Sequence, residues 1–289
     1  MRTRDAGVIL INVLVALALG AAIVVLMFTS QESLMDRTRR AAAATQAEAL
    51  VLGAEASLVA ALRRDMQEAP ETDHMAEPWA LAAQEEIQLE TGSFSITVSD
   101  AQARFDLNAL AAGRLAQQQT LARLITAVEL PDQVALDIID HLTRRGPVRD
   151  LSEIEALDAP TRAALAPYVS LLPQSGDVNV NTASEEVIAV MLGSPSAARQ
   201  LVKRREMAGF LTKGDLTDAG IVALNGIGFT SAVYDVESRA EVDGLTITLT
   251  SRLLRRTVLG QRDVRVITRS FSPQGTDAAP LPAPPPFRR

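Results

Sequence analysis

The chain has 289 residues, 47% hydrophobic and 22% charged, enough to bury a sizeable core and a poor match to either a multispanning membrane protein or a disordered one. Its net charge of −7, with a pI near 5.0, argues against a polyanion as the main partner, because phosphate binding rests on clustered Lys and Arg. With no cysteine, and with His74 and His141 as the only histidines, disulfides, thiolate catalysis and Cys-ligated zinc are excluded and a His-based metal cage or Ser-His-Asp triad has little material.

The chain opens MRTRDAG and then runs apolar from Val8 to Phe28, broken by Asn12 and the helix-tolerated Gly20. At ~1.5 Å per residue that run covers about 30 Å, the thickness of a bilayer core, so it predicts a transmembrane helix. Three identities compete for it. A secretory signal peptide wants a shorter apolar region and a small-residue site at its far end, whereas ALALGAA stands mid-run. A single-span anchor fits the length alone. The third identity uses the head: cleavage after Gly7 would leave Val8 as a new N-terminus at the start of the membrane helix, an arrangement that resembles a type IV prepilin leader. Arg2 and Arg4 precede the span while Arg37, Arg39 and Arg40 follow it, so the positive-inside count is split. The short head and long tail favour a cytoplasmic N-terminus and a periplasmic body. Past the span, helix-forming residues continue without proline until Pro70, which predicts one helix of about sixty residues. Its apolar positions hold no strict heptad, so the outer half is expected to pack along one stripe against a sheet.

Beyond Pro70 a loop carries EPWA and the single Trp, and EEIQLE and SFSITVSDAQARF read as a hairpin about Thr91-Gly92. Near the other end, VYDVESRAEV and LTITLTSRLLRR flank Asp243-Gly244, a strong hairpin cue, and RDVRVITRS follows. Between them the pattern is helical and punctuated by proline. Thr182 and Glu185 have capping-box spacing, and Pro131 and Pro195 suit first turns. The expected fold class is α+β, a long N-terminal helix packed on a small antiparallel sheet, with an inserted all-helical domain. The expected organisation is a leader at 1–7, the transmembrane part of the helix at 8–28, the periplasmic helix and first strands at 29–105, the helical insertion at 106–231, the closing strands at 232–270, and a disordered proline-rich tail at 271–289.

The glycine-ended leader, EPWA, ITVSDAQARFDLNAL, VNVNTASEEVIAVML and the closing strands fall in an order that resembles the protein K family of type II secretion minor pseudopilins. The resemblance implies a pilin-like fold and a nonenzymatic inner-membrane subunit at the tip of a periplasmic pseudopilus. It implies as partners other minor pseudopilins, the major pseudopilin, the prepilin peptidase and the inner-membrane secretion platform. Most pseudopilins carry glutamate at the fifth mature position, where it is thought to pair with a neighbour's N-terminal amine; counted from Val8, this chain has Asn12. An amide cannot neutralise an ammonium, which suits a subunit that stands first in the stack.

Two rival chemistries have some material. VNVNTASEEVIAVMLGSPSAARQLVKRREMAGFLTKGDL also resembles a helix-hairpin-helix DNA-binding module, giving the alternative of a membrane-anchored protein of DNA uptake. At the phosphate-binding hairpin, however, it reads Gly193-Ser194-Pro195, and Pro195 lacks an N–H. Lys203, Arg204 and Arg205 are expected on a solvated helix face. Asp177, Asn179, Asn181 and Glu185 are oxygen ligands of the kind calcium prefers, and related pseudopilins bind calcium, but Thr182 and Ile188 break the EF-hand pattern and strand entry followed by a helix cap suits the asparagines better. No nucleophile elbow, P-loop or zinc motif is present, so an enzyme is not expected.

Overall fold

The computed structural model describes residues 4–221, 225–258 and 261–272, leaving out the side chains of 4–10, 84, 85 and 258. Helix α1 (Arg4–Glu68) is unbroken over 65 residues, about 100 Å at the standard rise. A short loop leads to α2 (Pro78–Leu81) and to the hairpin of β1 (Gln84–Leu89) and β2 (Gly92–Asp100). The middle of the chain follows in the order β3 (Phe105–Asp106), α3 (Leu115–Ala127), α4 (Asp132–Arg145), α5 (Ala159–Leu165), β4 (Val169–Ser170), β5 (Val178–Asn179), α6 (Glu185–Leu192), α7 (Pro195–Ala208), α8 (Lys213–Asp218) and β6 (Ile227–Gly228). Three long strands close it: β7 (Val233–Val242), β8 (Leu245–Val258) and β9 (Gln261–Ser272).

The fold is α+β, with a pilin-like helix on an antiparallel sheet of order β1-β2-β7-β8-β9. Residues 11–42 of α1 are exposed; from Ala43 onward a stripe turns inward through Ala47, Val51, Glu55, Leu58 and Leu62, three or four residues apart and therefore on one helix face. That stripe packs on β7, β8 and β9. Small residues at 43 and 47 let the helix approach Ala240, Val242, Ile247 and Leu249, while Leu58, Leu62 and Trp79 fill the space over Val236 and Leu253. The Asp243-Gly244 turn has φ of 49° and 77°, the two left-handed residues that a tight hairpin of twisted strands requires. At the first hairpin Gly92 serves a closer purpose, since a Cβ there would lie 1.7 Å from the Glu241 carbonyl oxygen.

Strands β2 and β7 are neighbours, with Asp100 opposite Tyr234, so the whole middle region leaves and re-enters the sheet between two paired strands. It has its own core, built from residues such as Leu121, Ile125, Ile138, Leu142, Ile188 and Leu201. A small apolar cluster of Ala101, Leu172 and Val233 links that core to the sheet, beside the Arg104–Asp235 ion pair and the Arg252 hydrogen bond to Leu171 O.

The insertion is one unit present twice. Each copy starts with a two-residue strand, continues through a helical pair, turns at a left-handed glycine and closes with a second short strand parallel to the first: β3 with β4, β5 with β6. The glycines are Gly146 after α4 and Gly209 after α7, and a capping box follows each, at Asp150 with Glu153 and at Thr212 with Asp215. The side chains repeat as well. Asn108 accepts from Val148 N (2.9 Å) and donates to Val148 O (2.9 Å); Asn181 accepts from Leu211 N (2.7 Å) and donates to Leu211 O (3.1 Å). Val148 and Leu211 each stand two residues beyond their glycine.

Several expectations need correction. The insertion is helical but contains two parallel strand pairs, too short for sequence periodicity to reveal. Helix α6 is capped by Ser184, which accepts from Val187 N, rather than by Thr182, whose hydroxyl is drawn off to Asp100. Arg205 turns inward, donating to the carbonyls of Val180 (2.6 Å) and Ala183 (2.7 Å), while Arg204 pairs with Asp215. Strand β9 reaches Ser272, and the proline-rich stretch from 273 onward lies outside the described residues.

Candidate functional site

The densest polar constellation sits where the end of α1, the sheet and the insertion meet. Asp65 comes from the last turn of α1, Asp73 and Glu77 from the loop before α2, Asp100 from the end of β2, and Arg255 from β8. All five are buried. Arg255 Nη1 lies 2.8 Å from Asp65 Oδ2, and its Nη2 pairs with Asp73 Oδ2. Asp73 Oδ2 also accepts from Ser231 N (2.6 Å), and the Ser231 hydroxyl donates to Asp100 Oδ2. Glu77 Oε2 takes the Trp79 indole N–H at 2.7 Å, which explains EPWA: Pro78 starts α2 and the preceding glutamate orients the Trp against Tyr234.

Carboxylate oxygens of Asp65, Asp73 and Glu77 lie within 4.8 Å of one another. Burial, followed by repulsion from Glu77 and Asp73, pushes the Asp65 carboxyl up to about 7. Burial likewise raises Glu77 and Asp100. Two oxygens remain open: Asp73 Oδ1 has no hydrogen-bond donor among the described residues, and Glu77 Oε1 has only His74 Nε2, 3.4 Å away. His74 in turn stacks on Phe210 of the insertion, ring centroids 4.8 Å apart.

The residues singled out from sequence fall in different places. Gly7 and Val8 lie in the first turns of α1, with their side chains outside the described residues, and Asn12 is exposed on the same helix. Asn179 donates to Asp73 O (3.0 Å), Asp100 Oδ2 (3.1 Å) and Ser231 Oγ (3.0 Å), while its own oxygen accepts from Asn181 N (3.0 Å). Asn181 ties off Leu211. The structure therefore uses both amide oxygens on backbone N–H groups, Asp177 is exposed, and Glu185 is a first-turn residue of α6. Asp65, Asp73, Glu77 and Arg255 were missed because nothing local marks them; they are 190 residues apart at the extremes. The hairpin between α6 and α7 does form, but the N–H groups of Gly193 and Ser194 both bond to Ala189 O and that of Ala197 to Ser194 Oγ, leaving little for a phosphate.

Comparison with known proteins bears on this architecture. The family model described as "Type II secretion system (T2SS), protein K" matches residues 178–237, the second insertion unit together with the start of β7. Type II secretion system protein K of Pseudomonas aeruginosa is 26% identical over 258 residues, covering 75% of this chain and 77% of the relative. The Klebsiella pneumoniae protein of the same name is 28% identical over 246 residues, 72% and 75% of the two chains. Over about three quarters of its length the chain is similar to type II secretion system protein K. The fold agrees: a chain in the crystal structure of the GspK-GspI-GspJ complex from the enterotoxigenic Escherichia coli system superposes with a TM-score of 0.66 at 22% identity, over 82% of this chain and 99% of that one. Among the described residues one helix, near the N-terminus, is long and apolar enough to cross a membrane and is a candidate single-pass anchor.

Proposed function

We propose that this chain stands at the tip of the pseudopilus, where it starts or caps the filament, with its N-terminus in the cytoplasm and its body in the periplasm. The observation that carries the reading is the position of the insertion. It is grafted where β2 and β7 meet the C-terminal end of α1, at the opposite end of an ~100 Å rod from the apolar segment. A body of that size above the rod obstructs a further subunit there, while the rod remains available below. Maturation after Gly7 would expose Val8, and Asn12 would then stand where a neighbour's ammonium expects a carboxylate. The related complex contains GspI and GspJ, and equivalent minor pseudopilins are the partners proposed for this chain. The major pseudopilin, the prepilin peptidase and the inner-membrane platform follow from the same reading.

The resemblance also implies calcium, and the acidic junction suits it better than Asp177, Asn179, Asn181 and Glu185. Its donors are hard carboxylate oxygens, two of them open, and of the three carboxylates Asp65 and Asp73 share one guanidinium. Asp65, Asp73 and Glu77 would hold the ion, which would supply the missing positive charge.

The test is co-expression with two minor pseudopilins and the peptidase, followed by intact mass and native mass spectrometry. A chain starting at Val8, methylated, in a 1:1:1 complex supports the reading; an intact Met1 or a body that stays alone overturns it.

A further inference from the structure

Around the acidic junction, Asp65, Asp73 and Glu77 carry three negative charges when all are ionised, and among the described residues the only cation in contact with two of them is Arg255. The guanidinium is itself buried, with its carbon 5.5 Å from the Tyr234 ring centroid. It bridges α1 to the loop before α2, binding one oxygen of Asp65 and one of Asp73. Asp73 Oδ1 is left without a hydrogen-bond donor among the described residues, and Glu77 Oε1 has only His74 Nε2, 3.4 Å away. A cavity of about 350 Å³, lined by Met66, Gln102, Ser231, Arg255 and Arg256, adjoins the guanidinium.

From this geometry we infer that Arg255 is a resident counter-cation, which holds the acidic junction together when no divalent ion is bound. The inference rests on the calcium reading above. With all three carboxyls ionised, Arg255 leaves the junction a formal charge of −2 without the ion and none with it. Without Arg255 the charge is −3, and the three carboxylates repel one another with nothing between them. The ion then becomes the one charge that offsets this repulsion, while the apolar contacts of Leu58, Leu62 and Met66 with Leu253 of β8 remain. The guanidinium therefore sets how strongly the stability of the junction depends on calcium.

The test uses the full chain in detergent micelles at pH 7.5, with melting followed by Trp79 fluorescence in calcium and in chelator. The calcium-induced rise in melting temperature is expected to be modest in the native chain and in Arg255→Lys, which keeps the charge, and at least twofold larger in Arg255→Met. Equal rises in all three overturn the role of Arg255 while leaving the calcium reading intact. No rise in any of them removes the calcium reading, and the inference with it. Should Arg255→Met not fold in either condition, Arg255→Gln decides: it keeps hydrogen-bond donors without the charge, its rise is expected to exceed that of the native chain, and a rise no larger overturns the inference.

Discussion

At residue scale the insertion is organised by buried polar side chains that replace missing secondary structure. Asn108 and Asn181 each grip the backbone of a residue that no strand reaches, which leaves the N–H and C=O of Val148 and Leu211 satisfied in an apolar setting. Asp106 plays a related part in the first unit, accepting from Asn108 N (3.1 Å) and Leu172 N (3.1 Å). Burial pushes its carboxyl up to about 6, with those N–H groups pulling the other way. The folded chain thus binds more protons than the unfolded one between pH 3.8 and about 6, so Asp106 makes stability fall as pH rises through that window and has no further effect above it. Asp106→Asn, which copies the residue found at the matching position 179, removes that contribution; denaturant melts at pH 4, 5, 6 and 7 should show the slope flattened. The motifs DLN and NVN were visible in the sequence as marks of the family. Their duties were not, because Asn108 reaches a partner 40 residues away and Asn181 one 30 residues away, and single-sequence patterns contain only local spacing.

At the scale of elements, α1 and the sheet were legible because both follow period rules. Alternation marked the long strands, Asp243-Gly244 marked their hairpin, and the missing heptad pointed to a stripe. The stripe holds most of the contact between helix and sheet, so its largest buried residues should be the costly ones. Leu58→Ala is expected to destabilise the body by ~2–5 kcal/mol, against a change within ~0.5 kcal/mol for Leu34→Ala on the exposed part of the same helix. Chemical denaturation of the two variants side by side in detergent checks the contrast. Less legible were the caps of α6 and the two-residue strands. Thr182 has a better local partner on paper, but Asp100, 82 residues earlier, draws its hydroxyl away and hands the cap to Ser184.

At the scale of the molecule, the two cores share a small apolar cluster and polar contacts that include the junction. The separation predicts that the sheet body folds without the insertion. Joining Asp100 to Val233 through a short Asn-Gly turn suits the register, since Asp100 already faces Tyr234. Such a trimmed chain should still melt cooperatively by Trp79 fluorescence, at lower temperature because Asp73 and Asp100 lose Ser231 and Asn179. A non-cooperative trace would mean that the insertion is part of the folding unit. The duplication explains how a sequence with few aromatics builds so large an appendage: two copies of one small unit supply each other's missing face.

The adjacency of β2 and β7 has a mechanical side. A thrust on the outer lobe enters the body through two antiparallel strands linked rung by rung, so it arrives as shear across a ladder of backbone bonds rather than as bending at a single flexible neck. Those strands belong to the sheet that lies on α1, and the load continues straight into the rod.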